Sequence, residues 1–257
     1  MARLTPEMLG TVLGVWAHPD DEAYLSAGLM ALARDAGQRV VCVTATRGEH
    51  GTDDPEGWPP ERLARRREAE LRACLAALGV TEHHFLDYVD GTCAQVDADT
   101  AVRRIAAIMA DVEPDTVVTF GPEGMTGHAD HRAVSAWTTA AHALAVPAAR
   151  LLYATTTAAF ADRWQDLHAR FDIFLDPALP LRTPDDQIVL EVTLDGDLAD
   201  RKHLALRAQA SQTDGLISAL GEDRFRAWCA RETFTVASAA PRSTSAGQAI
   251  GDGRRGG

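Results

Sequence analysis

Two short stretches of the 257-residue chain concentrate side chains that could do chemistry together. The first, "WAHPDDEAYLSAG" at residues 16 to 28, sets His18, Pro19 and the acids Asp20, Asp21 and Glu22 between an apolar run and a helix-like segment. The second, "HADH" at residues 128 to 131, sets Asp130 close to His128 and His131. Three neighbouring carboxylates repel one another, so such crowding needs a cation, a helix N-terminus or a metal among them. Two imidazoles and a carboxylate meeting at one point would make the open three-ligand site of a catalytic zinc, whose vacant position holds water. Asp20 and Asp21 are adjacent and cannot easily aim the same way, so one can ligate while its neighbour faces the water as a base. In "HADH" one histidine can ligate while the other, beside Asp130, stays protonated and meets negative charge developing on a substrate. Taken singly, "DDE" also reads as a helix start whose acids complement the dipole, and "HADH" as a polar helix entrance. Their joint occurrence, each directly after a predicted strand, favours the metal.

The elements that must position these residues alternate regularly. "TVLGVWA" (11 to 17) reads as a buried strand, and "AYLSAGLMALARDAG" as a helix closed by Gly37. "RVVCVTAT" (39 to 46) is a second strand, followed by a polar loop to about Pro60 and a long helix ending at Gly79. "HHFLDY" and "DTVVTF" (115 to 120) supply strands three and four, separated by the helix "DADTAVRRIAAIMADVEP" and followed by the helix "HRAVSAWTTAAHALA". Repeating units of this kind predict an α/β fold: a Rossmann-like, open, mostly parallel sheet with helices on both faces. With strand order 3-2-1-4-5 the order reverses between strands one and four. The metal site is therefore expected at the carboxyl ends of those two strands, which lie about 4.8 Å apart. Pro19 keeps His18 out of the helical region at the end of its strand. Beyond Pro147 the pattern loosens: "RLLYATT" reads as a fifth strand, "QIVLEVTL" (187 to 194) as a later one, "DLADRKHLALRAQAS" as a helix and "ETFTVAS" as a last edge strand. A single domain is expected over residues 1 to 240, with 241 to 257, rich in Gly, Ser and Arg, as a disordered tail.

Composition narrows the function classes. Apolar residues make up 46% and charged residues 24%, and no apolar run approaches the ~20 residues of a membrane span. The formal charge of −12 speaks against nucleic-acid binding, which needs a basic face. The one basic run, "ERLARRREAELR", reads as a solvated helix face laced with ion pairs. Cys42, Cys74, Cys93 and Cys229 form no C-x-x-C pair and read as reduced core residues. No secretory signal is read at the N-terminus, so a cytoplasmic protein without membrane or nucleic-acid partners is expected, with a homo-oligomer compatible with the sequence.

"AHPDDE" with a later "GHADH" resembles the LmbE-like/PIG-L de-N-acetylases, zinc-dependent hydrolases that remove acetyl from N-acetylglucosaminyl groups. The likeness runs over roughly residues 11 to 145 and includes "TRGEHG", "RREAELRACLAALGV" and "DYVDG". It implies His18, Asp21 and His131 as metal ligands and Asp20 as the general base that deprotonates the metal-bound water. His128 would stabilise the oxyanion or protonate the leaving amine, with Asp130 orienting it, and Arg47, Glu49 and Asp90 would line the sugar pocket. The implied cofactor is one Zn²⁺ per chain, with Fe²⁺ as the alternative, and the implied partner is a small N-acetylated amino sugar. "LRAQASQ" resembles a family segment that usually carries histidine where this chain has Gln209, and Thr126 stands where thiol-cofactor members tend to have tyrosine. Two other readings remain at this level: an amidase or phosphoesterase on the same framework, and a sugar- or nucleotide-binding module. "GPEGMTG" lacks the spacing of a dinucleotide loop, which weakens the last.

Overall fold

In the computed structural model, which describes residues 3–237, three strands are buried along their whole length: β1 (Val12–Trp16), β2 (Val40–Thr46) and β4 (Thr116–Phe120). Such continuous burial is what a parallel sheet covered on both faces requires. The partly exposed β3 (Glu82–Tyr88) pairs with β2 at one edge, and β5 (Arg150–Thr155) pairs with β4. With β6 (Leu190–Thr193) and β7 (Arg231–Val236) the full order is β3-β2-β1-β4-β5-β7-β6, so the expected 3-2-1-4-5 is present and its reversal lies between β1 and β4.

Helices α1 (Asp21–Asp35), α2 (Pro60–Ala77), α3 (Ala98–Val112) and α4 (Ala129–Ala145) are the crossovers. Local chemistry sets their ends. Asp97 caps α3 by accepting from the Thr100 amide at 2.9 Å, and Glu113, in the left-handed region, ends it just before Pro114. Below the sheet's carboxyl edge, Trp16 and Phe120 pack edge to face with centroids 5.1 Å apart, anchoring β1 to β4. Each such fully buried large side chain contributes about 1.5–3 kcal/mol of burial free energy. Both strands that deliver the chemistry are thereby held to one rigid platform.

The C-terminal third differs from expectation in two ways. "ETFTVAS" forms β7 (Arg231–Val236), which lies inside the sheet, antiparallel to β5 on one side and to β6 (Leu190–Thr193) on the other, so β6 is the edge. It was expected at the edge of the sheet, yet Glu232, Thr233 and Phe234 are all buried. The single helix expected over 197 to 211 is broken at Gln209 into α7 (Gly196–Ala208) and α8 (Ala210–Leu220). Gln209 leaves helical geometry and sends its side chain to Glu22. Short helices α5 (Ala158–Arg163), α6 (Gln165–Phe171) and α9 (Glu222–Trp228) complete the described residues, none of whose helices is long and apolar enough to cross a membrane. The expected disordered tail lies outside those residues.

Candidate metal centre

At the β1–β4 switch point the two motifs meet. His18 Nδ1 lies 3.1 Å from His131 Nε2; Asp21 places Oδ2 3.8 Å from the former and Oδ1 3.4 Å from the latter. Donor atoms bound at about 2.1 Å to a tetrahedral centre are themselves about 3.4 Å apart, and the three separations lie close to that, with Asp21 meeting the two nitrogens through different carboxylate oxygens. His128 also belongs to the cluster: the three imidazoles offer nitrogens within 4.8 Å of one another.

The remaining ring nitrogens are tied back, which selects the atoms facing the centre. His18 Nε2 meets Asp90 Oδ1 at 3.0 Å and Asp130 Oδ2 at 3.2 Å, while His131 Nδ1 meets the Gly124 carbonyl at 3.0 Å. A carboxylate or carbonyl behind a histidine fixes its tautomer and raises its basicity as a ligand. The electrostatics also call for a cation. Burial opposes charge on His18, yet hydrogen bonds to Asp130 and Asp90 and the charge of Asp21 raise its pKa to about 10. Without a metal, the acids recruit a proton to this spot. Burial and the nearby His18 and His128 hold His131 well below the usual imidazole range, neutral as a ligand must be.

Asp20 precedes α1 with φ 133°, a conformation that non-glycine residues rarely adopt and that costs about 1–3 kcal/mol. Two contacts hold it there. Its amide donates to Glu22 Oε2 at 3.0 Å, and Arg67 reaches its Oδ2 at 3.3 Å. Burial pushes the Asp20 carboxyl up to about 7, against the pull of Arg67. Glu22, fully buried, is pushed up to about 8 by burial, and Cys74 and Gln209 donate to its Oε1.

Arg67 is the residue that sequence reasoning missed. Within the run read as a solvated face it is only 3% exposed, and it donates to the Gly48 carbonyl at 2.8 Å and the Pro19 carbonyl at 2.5 Å. A signal was present: Leu63, Arg67, Leu71 and Leu75 fall on one i, i+4 stripe, and all are buried. Glycines 48 and 51 make room for it, since a Cβ at either would come within 2.2 or 2.5 Å of Arg67 Nη1.

Other expected residues sit differently. Asp130 was expected to orient His128; instead its carboxylate accepts from the Gly91 and Cys93 amides at 2.7 and 2.9 Å and backs His18. His128 caps α4, its Nδ1 accepting from the Asp130 backbone amide at 3.2 Å, so Asp130 orients it only through the main chain. Of the three sugar-binding candidates, Asp90 lines the cavity in front of the cluster and Arg47 and Glu49 do not. Arg47 is drawn away by Glu68 and Asp87 and lies 4.2 Å over the Phe85 ring, whereas Glu49 accepts from the Asp90 amide at 3.0 Å. His50 and Arg67 face the cavity beside Asp90 instead. That cavity holds about 950 Å³.

The GlcNAc-PI de-N-acetylase (PIG-L) family model matches residues 13–142, which contain both motifs. The chain belongs to the PIG-L family. Two curated proteins named 1D-myo-inositol 2-acetamido-2-deoxy-alpha-D-glucopyranoside deacetylase extend the likeness of this PIG-L chain. The one from Acidothermus cellulolyticus is 34% identical over 84% of this chain and 85% of its own length. The one from Thermomonospora curvata is 31% identical over 96% and 95%. A third of that name, from Kineococcus radiotolerans, is 36% identical over 47% of this chain and 41% of its own length. Among solved structures, N,N'-diacetylchitobiose deacetylase from Pyrococcus horikoshii superposes with TM-score 0.61 at 21% identity, over 90% of this chain and 84% of that one. The likeness of fold to that structure thus extends along nearly the whole described chain.

Proposed function

We propose that this protein is a metal-dependent hydrolase that removes the N-acetyl group from an N-acetylglucosamine-type conjugate. The ligands are His18, Asp21 and His131, and the ion is zinc, with ferrous iron as the alternative. The observation that carries the reading is the convergence of His18 Nδ1, His131 Nε2 and the Asp21 carboxylate while the opposite ring nitrogens are held by Asp90, Asp130 and the Gly124 carbonyl. The names of the curated relatives support the substrate class. When bound, a divalent ion supplies Lewis acidity toward an acyl oxygen and lowers the pKa of water, both of which a poorly electrophilic amide needs.

The chain's own groups supply the rest. Asp20, held by Arg67 and by its strained backbone, accepts a proton from the attacking water at its carboxylate. His128, whose ring centroid lies 5.0 Å from that of His18 and 5.1 Å from that of His131, meets charge developing on the acyl oxygen or delivers a proton to the departing amine. Water adds to the acyl carbon, the C–N bond breaks, and acetate and the free amine leave. Asp90, His50 and Arg67 form the polar wall for sugar hydroxyls, and Glu49 supports that wall through the Asp90 amide. Arg47 acts from outside it.

The test combines metal analysis with acetate release from N-acetylglucosaminides. Wild-type protein is expected to carry about one zinc per chain, matching the three-ligand open site. Asp20→Asn should keep the metal and lose about 10²–10⁴-fold in rate, the usual contribution of a general base. Replacing His18 and His131 together should remove the metal; unchanged metal content in that variant would refute the assignment.

A further inference from the structure

The cavity is two-sided, and the strand order explains why. On the β2–β3 side of the metal cluster its walls are polar: His50, Asp53, Arg67 and Asp90, with Gln212 of α8 donating to the Gly51 carbonyl at 3.1 Å. On the β5–β7 side the strand ends contribute Thr155, Thr156, Thr157, Arg231, Glu232 and Thr233, and the helices around them add an apolar wall of Phe160, Phe171, Ile173, Phe174, Leu216 and Trp228. These apolar residues come from α5, α6 and the segment after it, α8 and α9, in the third of the chain where the PIG-L family match has ended. All six are half-buried although they surround a cavity. Their polar edges are already engaged: the Trp228 indole N–H donates to His168 Nε2 at 3.2 Å, and the His168 ring stands edge to face on Phe174 at 4.7 Å. Tyr24 meets Trp228 at 5.7 Å between centroids. Phe174 and Trp228 thus offer the cavity apolar ring surface held in place from behind.

We infer that this apolar arm binds the aglycone of the substrate, so that the preferred substrates are aryl or alkyl glycosides of N-acetylglucosamine rather than conjugates with a polyhydroxylated aglycone. The inference rests on the de-N-acetylase reading and deepens it. In a glucosamine ring the amide nitrogen is on C2, between C3, which leads to the hydroxyl edge, and C1, which carries the aglycone. With the amide at the central cluster and hydroxyls O3 and O4 on the His50–Asp90 wall, the C1 substituent points across the switch point toward Phe174 and Trp228. Burial of its apolar surface then favours binding.

A set of seven compounds tests this: the methyl, phenyl and octyl glycosides of N-acetylglucosamine, each as both anomers, and the methyl glycoside of N-octanoylglucosamine. For the better anomer, kcat/KM should rise at least tenfold from methyl to phenyl or octyl glycoside, mainly through KM. Gly215→Phe provides the matched variant. Gly215 lines the cavity on α8, a Cβ there meets nothing within 4 Å, and its backbone needs no left-handed conformation, so a larger side chain narrows the arm without disturbing the fold. The variant should bring the glycosides to within threefold of one another. Equal kcat/KM across the three glycosides in the wild type would overturn the inference, as would preference for the N-octanoyl compound, which would give the arm to the acyl group. Dissociation constants from calorimetry separate this inference from the reading beneath it. Tighter binding of phenyl and octyl glycosides without release of amine would uphold the arm and refute the hydrolysis; turnover with no binding preference would do the reverse.

Discussion

Arg67 is a demanding test of the site because three acceptors depend on one buried guanidinium: the Pro19 and Gly48 carbonyls and the Asp20 carboxylate. A lysine at this position presents a single ammonium and cannot reproduce the planar fork. Losing a charged donor to a buried carbonyl costs about 1.5–3 kcal/mol. Arg67→Met strips both carbonyls and should destabilise by about 3–6 kcal/mol, whereas Arg67→Lys, able to reach one of them, should cost about 1.5–3 kcal/mol on the same scale. Function should suffer beyond stability, because the Pro19 carbonyl and the Asp20 side chain set the position of the proposed base. Displacement by about 1 Å is enough for a loss of about 10²-fold in kcat. Denaturant midpoints, metal content and acetate release, measured on Arg67→Lys while it is fully folded, separate these effects. The expected pattern is near-normal metal content with a large fall in kcat. Stability within about 1 kcal/mol of wild type and kcat within threefold would refute the placement of Arg67 as the support of Asp20.

Three further outcomes follow from particular contacts. Lys202, the one lysine of the chain, is buried with Glu232 at 2.8 Å and donates to the Tyr24 carbonyl at 2.7 Å, so Lys202→Met should cost about 3–5 kcal/mol in chemical unfolding. Adding Glu232→Gln should recover part of that loss, and no recovery would mean that charge is not what the pair supplies. His83 accepts from or donates to Thr44 Oγ1 at 2.9 Å, and burial lowers its pKa to about 4. The unfolded chain then takes up a proton near pH 6.5 that the folded one refuses, so stability is lost as pH falls from 6.5 toward 4, by at most about 3 kcal/mol and less where water reaches the ring. His83→Gln should flatten that part of the pH profile of the denaturant midpoint, and an unchanged slope would refute the assignment. Chelation should lower the melting temperature reversibly, since a ligand at 100 times its Kd stabilises by about 2.7 kcal/mol, and a melting temperature indifferent to chelator would count against a resident ion.

What could be read beforehand follows from the range of the physics involved. β1, β2 and β4 were legible because strands buried on both faces must be continuously apolar, and the reversal between β1 and β4 then placed the two motifs side by side. β7 was mistaken for an edge strand because its charged and hydroxyl residues satisfy themselves inside the protein, Glu232 on Lys202 and Thr233 on the Thr155 carbonyl. Residue polarity is local, and only tertiary partners decide exposure. The same limitation applied to Arg47 and Arg67. Each has acids close by in sequence, yet one is held by Glu68 and Asp87 outside the cavity and the other is buried in its wall. Pairing choices among many charges are long-range, and local spacing carries little information about them.

The crowding of Asp20, Asp21 and Glu22 illustrates how such choices resolve a local conflict. Each acid meets a different compensating partner: Arg67 for Asp20, the His18 amide and the paired imidazoles for Asp21, and the Gln209 and Cys74 donors for Glu22. Only Asp21 faces the proposed ion. Burial drives Glu22 toward its neutral form, so it adds little negative charge while its Oε2 still accepts the Asp20 amide. That bond helps hold Asp20 at a φ that its own residue type disfavours. The break at Gln209 belongs to the same arrangement: α7 ends there, and the Gln209 side chain donates to the Glu22 carboxyl. A kink in the C-terminal third, which looks unrelated to catalysis, thus helps to fix the backbone of the proposed base.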